Sequence, residues 1–269
     1  MVPVKPTGFH DTQNPWRLIS GSTIKVIALI LMVMDHLHQM FYTQGIPDWF
    51  NWFGRPVATL FLFLCAEGFY HTRNKKGYML RLLIGSCLMT VLSRVLSSCM
   101  PLESVALINN MFGTLFMATV YMALVDRLRT SSTKRQTGSI LLVLGGMLLP
   151  VLVGLGLVVI LSKAILPYWL IAVLFMIPNP IIVEGGFVLV LMGVLFYVLQ
   201  RFRIAQIGLV VLVSVFAALT TGDAQWLMGT AVVPIWLYNG QRGRGSKYFF
   251  YIFYPAHIYL FYSIAWLIQ

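Results

Sequence analysis

Residues 24–42 read IKVIALILMVMDHLHQMFY. A bilayer-crossing helix needs about 20 predominantly apolar residues, and this run is of that length. It nevertheless carries Asp35, His36 and His38 in its second half. Ionisable groups at membrane depth are costly and tend to be kept for chemistry, transport or a bound cofactor. The stretch therefore decides two things together: the chain crosses a membrane, and its chemistry is expected in the first span.

The rest of the chain extends that reading. Of 269 residues, 59% are hydrophobic and only 10% charged, and apolar runs of spanning length recur from end to end. The expected fold is an all-α polytopic membrane protein, with residues 1–22 a polar cytoplasmic segment and residues 23–269 a single membrane domain. The N-terminal stretch has Pro3, Pro6 and Pro15 and lacks the apolar core of a cleavable signal, so the first span is expected to act as an uncleaved anchor. Cys65, Cys87 and Cys99 sit in or beside apolar runs, form no metal spacing, and read as small hydrophobic side chains.

The net charge of +11 is not a nucleic-acid signature, because the bases cluster in short loops. Arg73, Lys75, Lys76 and Arg81 form one group; Arg127, Arg129, Lys134 and Arg135 a second; Arg201 and Arg203 a third; Arg242, Arg244 and Lys247 a fourth. Such loops mark the cytoplasmic side of a bacterial inner-membrane protein and place the N-terminus there. They also suit an anionic leaflet or a phosphorylated ligand. Ten apolar segments follow, at about 23–43, 55–71, 79–99, 108–125, 139–161, 164–177, 181–199, 204–220, 224–239 and 248–269. Two basic loops flank three of these runs, so one of the three does not cross. The short run 164–177, closed by Pro178-Asn179-Pro180, is predicted to be re-entrant, leaving nine full spans and the C-terminus outside.

Helical geometry sorts the polar residues. At 1.5 Å per residue, His36 lies roughly 16 Å beyond Lys25, and His257 roughly 15 Å beyond Lys247, so the two should share one level. Asp35 and His38 are three apart on one face and predict a hydrogen bond, leaving His36 to face another helix. Glu67 and His71, four apart, form a similar candidate pair. Arg55 and Glu67 are roughly 18 Å apart along their helix and cannot meet. For a lone intramembrane histidine, a satisfied packing contact is the plain alternative. Arg55 has the plain alternative of snorkelling to the outer interface. The aromatic runs Trp49–Phe53 and Tyr248–Tyr251 read as interfacial belts.

Three blocks resemble the TraX family. They are Ser20-Gly21-Ser22-Thr23-Ile24-Lys25 running into Met34-Asp35-His36; Phe53-Gly54-Arg55-Pro56 followed by Glu67-Gly68-Phe69-Tyr70-His71-Thr72-Arg73-Asn74; and Lys247 through His257. The middle, about 100–240, is similar only in hydropathy. The family takes its name from an enzyme that N-acetylates a conjugative pilin. It resembles a branch of the wider multi-span acyltransferases that include the lysosomal heparan-glucosaminide N-acetyltransferase. The resemblance implies an acyl-CoA co-substrate entering from the cytoplasm and a catalytic role for His36, with Asp35 and Arg55. Glu67, His71, Arg73, Tyr254 and His257 are the other positions carried over. His38 departs from the pattern, where a small residue is usual.

The implied chemistry suits the layout. Transfer from a thioester needs a base for an amine or hydroxyl and donors for the developing oxyanion. Arg73, Lys75, Lys76 and Arg81 are placed to meet the phosphates of acetyl-CoA. No metal is expected. The acceptor, a peptide N-terminus or a glycan, is left open. Two other classes fit the same residues: a proton-coupled transporter, and a haem protein with His36 and His257 as axial ligands.

Overall fold

The computed structural model describes residues 17–133, 137–163, 167–176, 178–245 and 247–269. The expected polar segment up to residue 16, Lys134 and Arg135 of the second basic loop, and part of the short run 164–177 lie outside the described residues.

Helix α1, Gly21–Phe41, starts at Ser20, whose backbone is extended and whose side-chain hydroxyl accepts the Thr23 N–H. Its buried residues include Ile24, Ala28, Met32, His36 and Met40, a stripe four residues apart. Val26 and Ile30 lie on the opposite, exposed side. His36 is thus aimed inward by the same periodicity that makes the span. Helices α2 (Arg55–His71), α3 (Lys75–Cys99) and α4 (Met111–Thr133) follow; then come α5 (Thr137–Lys163), α6 (Tyr168–Met176), α7 (Gly186–Val198) and α8 (Arg203–Thr220). A 3-10 run, Ala224–Ala231, leads into α9 (Val232–Leu237), and α10 (Lys247–Leu267) ends the chain. Among the described residues there is no strand beyond one isolated bridge, Ile19 to Tyr238.

Arg55, bonded to Gln225, lies at the far end, while most of the other described arginines and lysines gather at one end of the bundle. The starts of α1, α3, α8 and α10 and the ends of α2, α4, α7 and α9 meet there. Asp48, Asn109, Met100 and Asp223 mark the opposite end. Five of the helices are long and apolar enough to cross a membrane by themselves: α1, α3, α4, α5 and α8. The shorter α7 and the 3-10/α9 run are apolar but fall below that length. Helix α10 has 21 residues, about 31 Å of rise, but its five tyrosines lower its hydropathy.

Helix α6 and the loop after it are the irregular element. Pro150 interrupts the α5 ladder, and its carbonyl accepts the Asn179 side-chain amide at 2.7 Å. Gly154 makes room for that side chain, since a Cβ there would overlap it. The loop then returns to α4, where the Asn110 N–H donates to Glu184 Oε2 at 2.7 Å and Thr114 Oγ1 donates to the Glu184 carbonyl at 2.6 Å. A carboxylate at a helix N-terminus is favoured by the orphan N–H groups and the dipole.

Close approach of α2, α4 and α7 depends on Gly193. A Cβ there would lie 2.9 Å from Leu62 Cδ2 and 3.0 Å from the Ala118 Cβ. A Gly193→Leu variant is expected to lose about 1–3 kcal/mol or more through overpacking. A thermal melt in detergent should show the lowered midpoint; an unchanged midpoint would mean the three helices are free to part.

Candidate functional site

His36 and His257 are both 5% exposed and meet between α1 and α10. His36 Nδ1 lies 2.7 Å from His257 Nε2, and the rings stack at 5.0 Å with 19° between their planes. The network assigns their protons. His257 Nδ1 is 2.8 Å from the Phe253 carbonyl, which can only accept, so Nδ1 carries the hydrogen. In the neutral ring His257 Nε2 is then bare and accepts from His36 Nδ1–H. That leaves the lone pair of His36 on Nε2.

Nε2 faces Asn109, whose amide nitrogen is 3.4 Å away. Asn109 is held by a reciprocal pair with Gln39, at 3.0 Å and 3.1 Å, and a bare His36 Nε2 calls for the amide N–H rather than the oxygen to face it. Phe253 stacks on His257 and Phe261 meets it edge-on, so the pair is walled by aromatics. The arrangement is an oriented neutral base with one long, weak contact on its basic atom.

A cavity of about 720 Å³ runs from the basic end toward this pair. Lys25, Arg73, Arg81, Arg242 and Arg244 line it, with Glu67 and His71. Its deeper lining includes Met32, Met111, Phe112, Phe253 and Tyr254. Met32 and Phe253 each precede a histidine of the pair by four residues, so these lining residues stand one helical turn, about 6 Å of rise, before the pair on α1 and α10. Tyr254 Oη accepts the Met111 N–H at 3.0 Å and ties α10 to α4 there. The loop with Arg242 and Arg244 is pinned to the start of α1, where Gly21 N–H and Ser22 N–H donate to the Gln241 and Arg242 carbonyls. Gly243 has φ +72°, and a Cβ there would overlap Ser20 and Ser22. The Ser20-Gly21-Ser22 motif thus caps α1 and seats two cations over the cavity.

Several expected partnerships differ in the structure. His38 bonds Asp48 at 3.1 Å rather than Asp35, because the 3-10 turn Asp48–Gly54 folds back along α1. Asp35 orients neither histidine. Its carboxylate packs over Gly54, where a Cβ would overlap it, within electrostatic reach of Arg55. Arg55 donates to Asn51 at 2.8 Å and to Gln225 at 3.0 Å, so it serves that end of the bundle. Glu67 is 3.6 Å from Arg203 and 4.0 Å from His71, making Arg203 its nearer counter-charge. Arg203 in turn lies over Phe63 and Tyr238, at 4.7 and 5.0 Å. Lys75 leaves the expected phosphate-binding set: it pairs with Asp126 on the other side of α2 and contacts Tyr197. Lys76 is exposed and does not line the cavity. The axial-ligand alternative needs an iron between two imidazole nitrogens, whereas these stand 2.7 Å apart in direct contact.

Asn109 and Gln39 were not singled out from the sequence, and Lys25, Arg242 and Arg244 were named there as motif or basic-loop residues without a place in the site. The amides carry a faint signal, as Asn109-Asn110 heads an apolar run. Lys25 and the two arginines read there as ordinary boundary charges.

Fold and site together define a multi-span membrane protein with a buried histidine pair beyond a cation-lined cavity. The TraX protein family model matches residues 20–265, and the chain belongs to that family. The chain is also similar to a probable fimbrial assembly protein, FimC of serogroup H1, from Dichelobacter nodosus. Identity is 25% over 271 residues, covering 93% of this chain and 97% of that protein. No solved structure matches.

Proposed function

We propose that this protein is an acyl-CoA-dependent acyltransferase of the bacterial inner membrane, with the basic end in the cytoplasm. The observation that supports it best is one continuous arrangement. A cation-lined cavity of about 720 Å³ points at a base whose tautomer is set by its neighbours. Lys25, Arg73, Arg81, Arg242 and Arg244 would hold the phosphates of acetyl-CoA by charge-assisted hydrogen bonds. The thioester arm would lie along the apolar depth of the cavity.

The reaction then follows from the proton assignment. His36 Nε2 takes a proton from the acceptor amine or hydroxyl as that atom bonds to the thioester carbonyl carbon. The Asn109 amide N–H is the nearest donor for the resulting oxyanion. The C–S bond breaks, and the thiolate leaves with the proton from His36. Transfer is direct, in a ternary complex, with no acyl-enzyme. His257 passes no proton: it holds His36 Nδ1–H and steadies the imidazolium. The acceptor arrives from the Asn109 side, the end opposite the cations. A peptide N-terminus or a cell-surface glycan suits that approach. A fimbrial subunit is the first acceptor to try, given the fimbrial name of the Dichelobacter relative.

Incubating the detergent-purified protein with acetyl-CoA and either a fimbrial peptide or a glycan acceptor tests the reading. Acceptor-dependent release of free coenzyme A thiol, with one acetyl gained by the acceptor, is expected. Substrate flux across proteoliposomes with no thioester consumed would instead favour a transporter.

A further inference from the structure

About one turn toward the basic end from His257, Tyr254 lines the deep part of the cavity. The two stand three apart on α10, hence on one face, with ring centres 6.1 Å apart. Tyr254 is 8% exposed, and Phe112 meets its ring edge-on at 5.1 Å, so the phenol is held in one place. Around it the deep lining is Met32, Met111, Phe112 and Phe253, whose side chains have no hydrogen to donate.

A phenol carries one hydrogen on an oxygen that also accepts. The Met111 N–H, at 3.0 Å, occupies the accepting side of Tyr254 Oη. Glu184 lies within electrostatic reach, but its carboxylate receives the Asn110 N–H. Among the described residues no acceptor stands within hydrogen-bonding distance of the phenolic hydrogen. An O–H whose oxygen already accepts a hydrogen bond is the stronger donor for it. Met111 also follows Asn109 by two residues, no more than about 7 Å along the chain. The Asn109 amide faces His36 Nε2 at 3.4 Å. Phenol, amide and basic nitrogen therefore converge on the start of α4.

We propose that Tyr254 is a second donor to the thioester carbonyl oxygen, a catalytic residue beside Asn109; this role rests on the acyltransferase reading. The acceptor atom bonds to the carbonyl carbon, and the C=O π pair moves onto oxygen as His36 Nε2 takes the acceptor's proton. The Tyr254 O–H donates to that oxyanion and keeps its own hydrogen. The C=O bond then re-forms, and the C–S bond breaks with the thiolate taking the proton from His36. Because Tyr254 lines the donor's own cavity, it meets the carbonyl as soon as acetyl-CoA is bound, before any acceptor arrives.

The role is therefore measurable without an acceptor. Isotope-edited infrared spectra of carbonyl-labelled acetyl-CoA, bound to the full chain in detergent, report how strongly the thioester C=O is polarised. The band should lie at higher frequency in Tyr254→Phe than in wild type, because a phenyl ring offers no donor. Acetyl-CoA affinity should weaken no more than about tenfold, the scale of one neutral hydrogen bond. With an acceptor present, turnover should fall roughly 10²-fold, the low end for removal of one oxyanion donor. Tyr254→Phe also leaves the Met111 N–H without its acceptor, so the melting midpoint is measured alongside. Tyr254→fluorotyrosine keeps both hydrogen bonds with a more acidic O–H, and it should lower the band below that of wild type. One band position in all three proteins, or wild-type turnover by Tyr254→Phe, overturns the role of Tyr254 and leaves the acyltransferase reading standing. Absence of saturable acetyl-CoA binding by wild type overturns that reading, and the role of Tyr254 with it.

Discussion

His36→Ala is expected to lower acetyl transfer by roughly 10²–10⁴-fold, the range a positioned general base contributes. Affinity for acetyl-CoA should stay as it is, because His36 stands beyond the cavity and is not part of its lining. The split between rate and binding matters, since a merely structural histidine would lower both by unfolding the protein. The melting midpoint is the control: His36 is buried on the α1 stripe, and its loss leaves a cavity beside Asn109. His36→Gln keeps most of that volume without a base, so it should be as inactive as the alanine variant. Wild-type turnover in either would remove the mechanism.

The second large effect is at His257, and it acts through His36. His257→Phe preserves an aromatic ring between Phe253 and Phe261 but removes the acceptor for His36 Nδ1–H. His36 is then free to carry its proton on Nε2, the atom that must be bare. In the serine-hydrolase triad, losing the group that fixes the tautomer costs up to roughly 10⁴ in turnover. A fall of about 10² or more in kcat, with KM for acetyl-CoA unchanged, is expected here. His257→Gln, whose amide oxygen accepts a hydrogen bond, should recover part of it. If phenylalanine at this position supports normal turnover, His257 only packs.

How much of this was readable beforehand differs from residue to residue. The ten apolar segments, the short irregular one before Pro178-Asn179-Pro180, and the common level of His36 and His257 follow from length and rise alone. These are properties of single helices, and local sequence carries them. Partner choice is another matter. Spacing of three or four residues paired Asp35 with His38 and Glu67 with His71. The folded chain offers His38 the carboxylate of Asp48, and Glu67 the guanidinium of Arg203. Both partners come from segments that only tertiary packing brings near.

The cation set shows the same limit. Lys75 sits in the same basic cluster as Arg73, yet it turns about α2 toward Asp126 while Arg73 lines the cavity. Arg242 and Arg244, more than 160 residues away, join Arg73 only because a glycine at φ +72° lets their loop close over Ser20 and Ser22. No periodicity links those positions. Asn109, which faces the basic nitrogen, lies just before α4, where amides usually read as caps.

The measurement that bears most directly on the central claim is acetyl-CoA binding to the detergent-purified protein. Wild type is compared with Arg73→Ala/Arg242→Ala and with His36→Ala. Saturable binding that is lost in the double variant and kept in His36→Ala is the predicted result. It would place the donor in the cation-lined cavity and His36 on the chemical step. No saturable binding by the wild type, or binding indifferent to both arginines, would contradict the account.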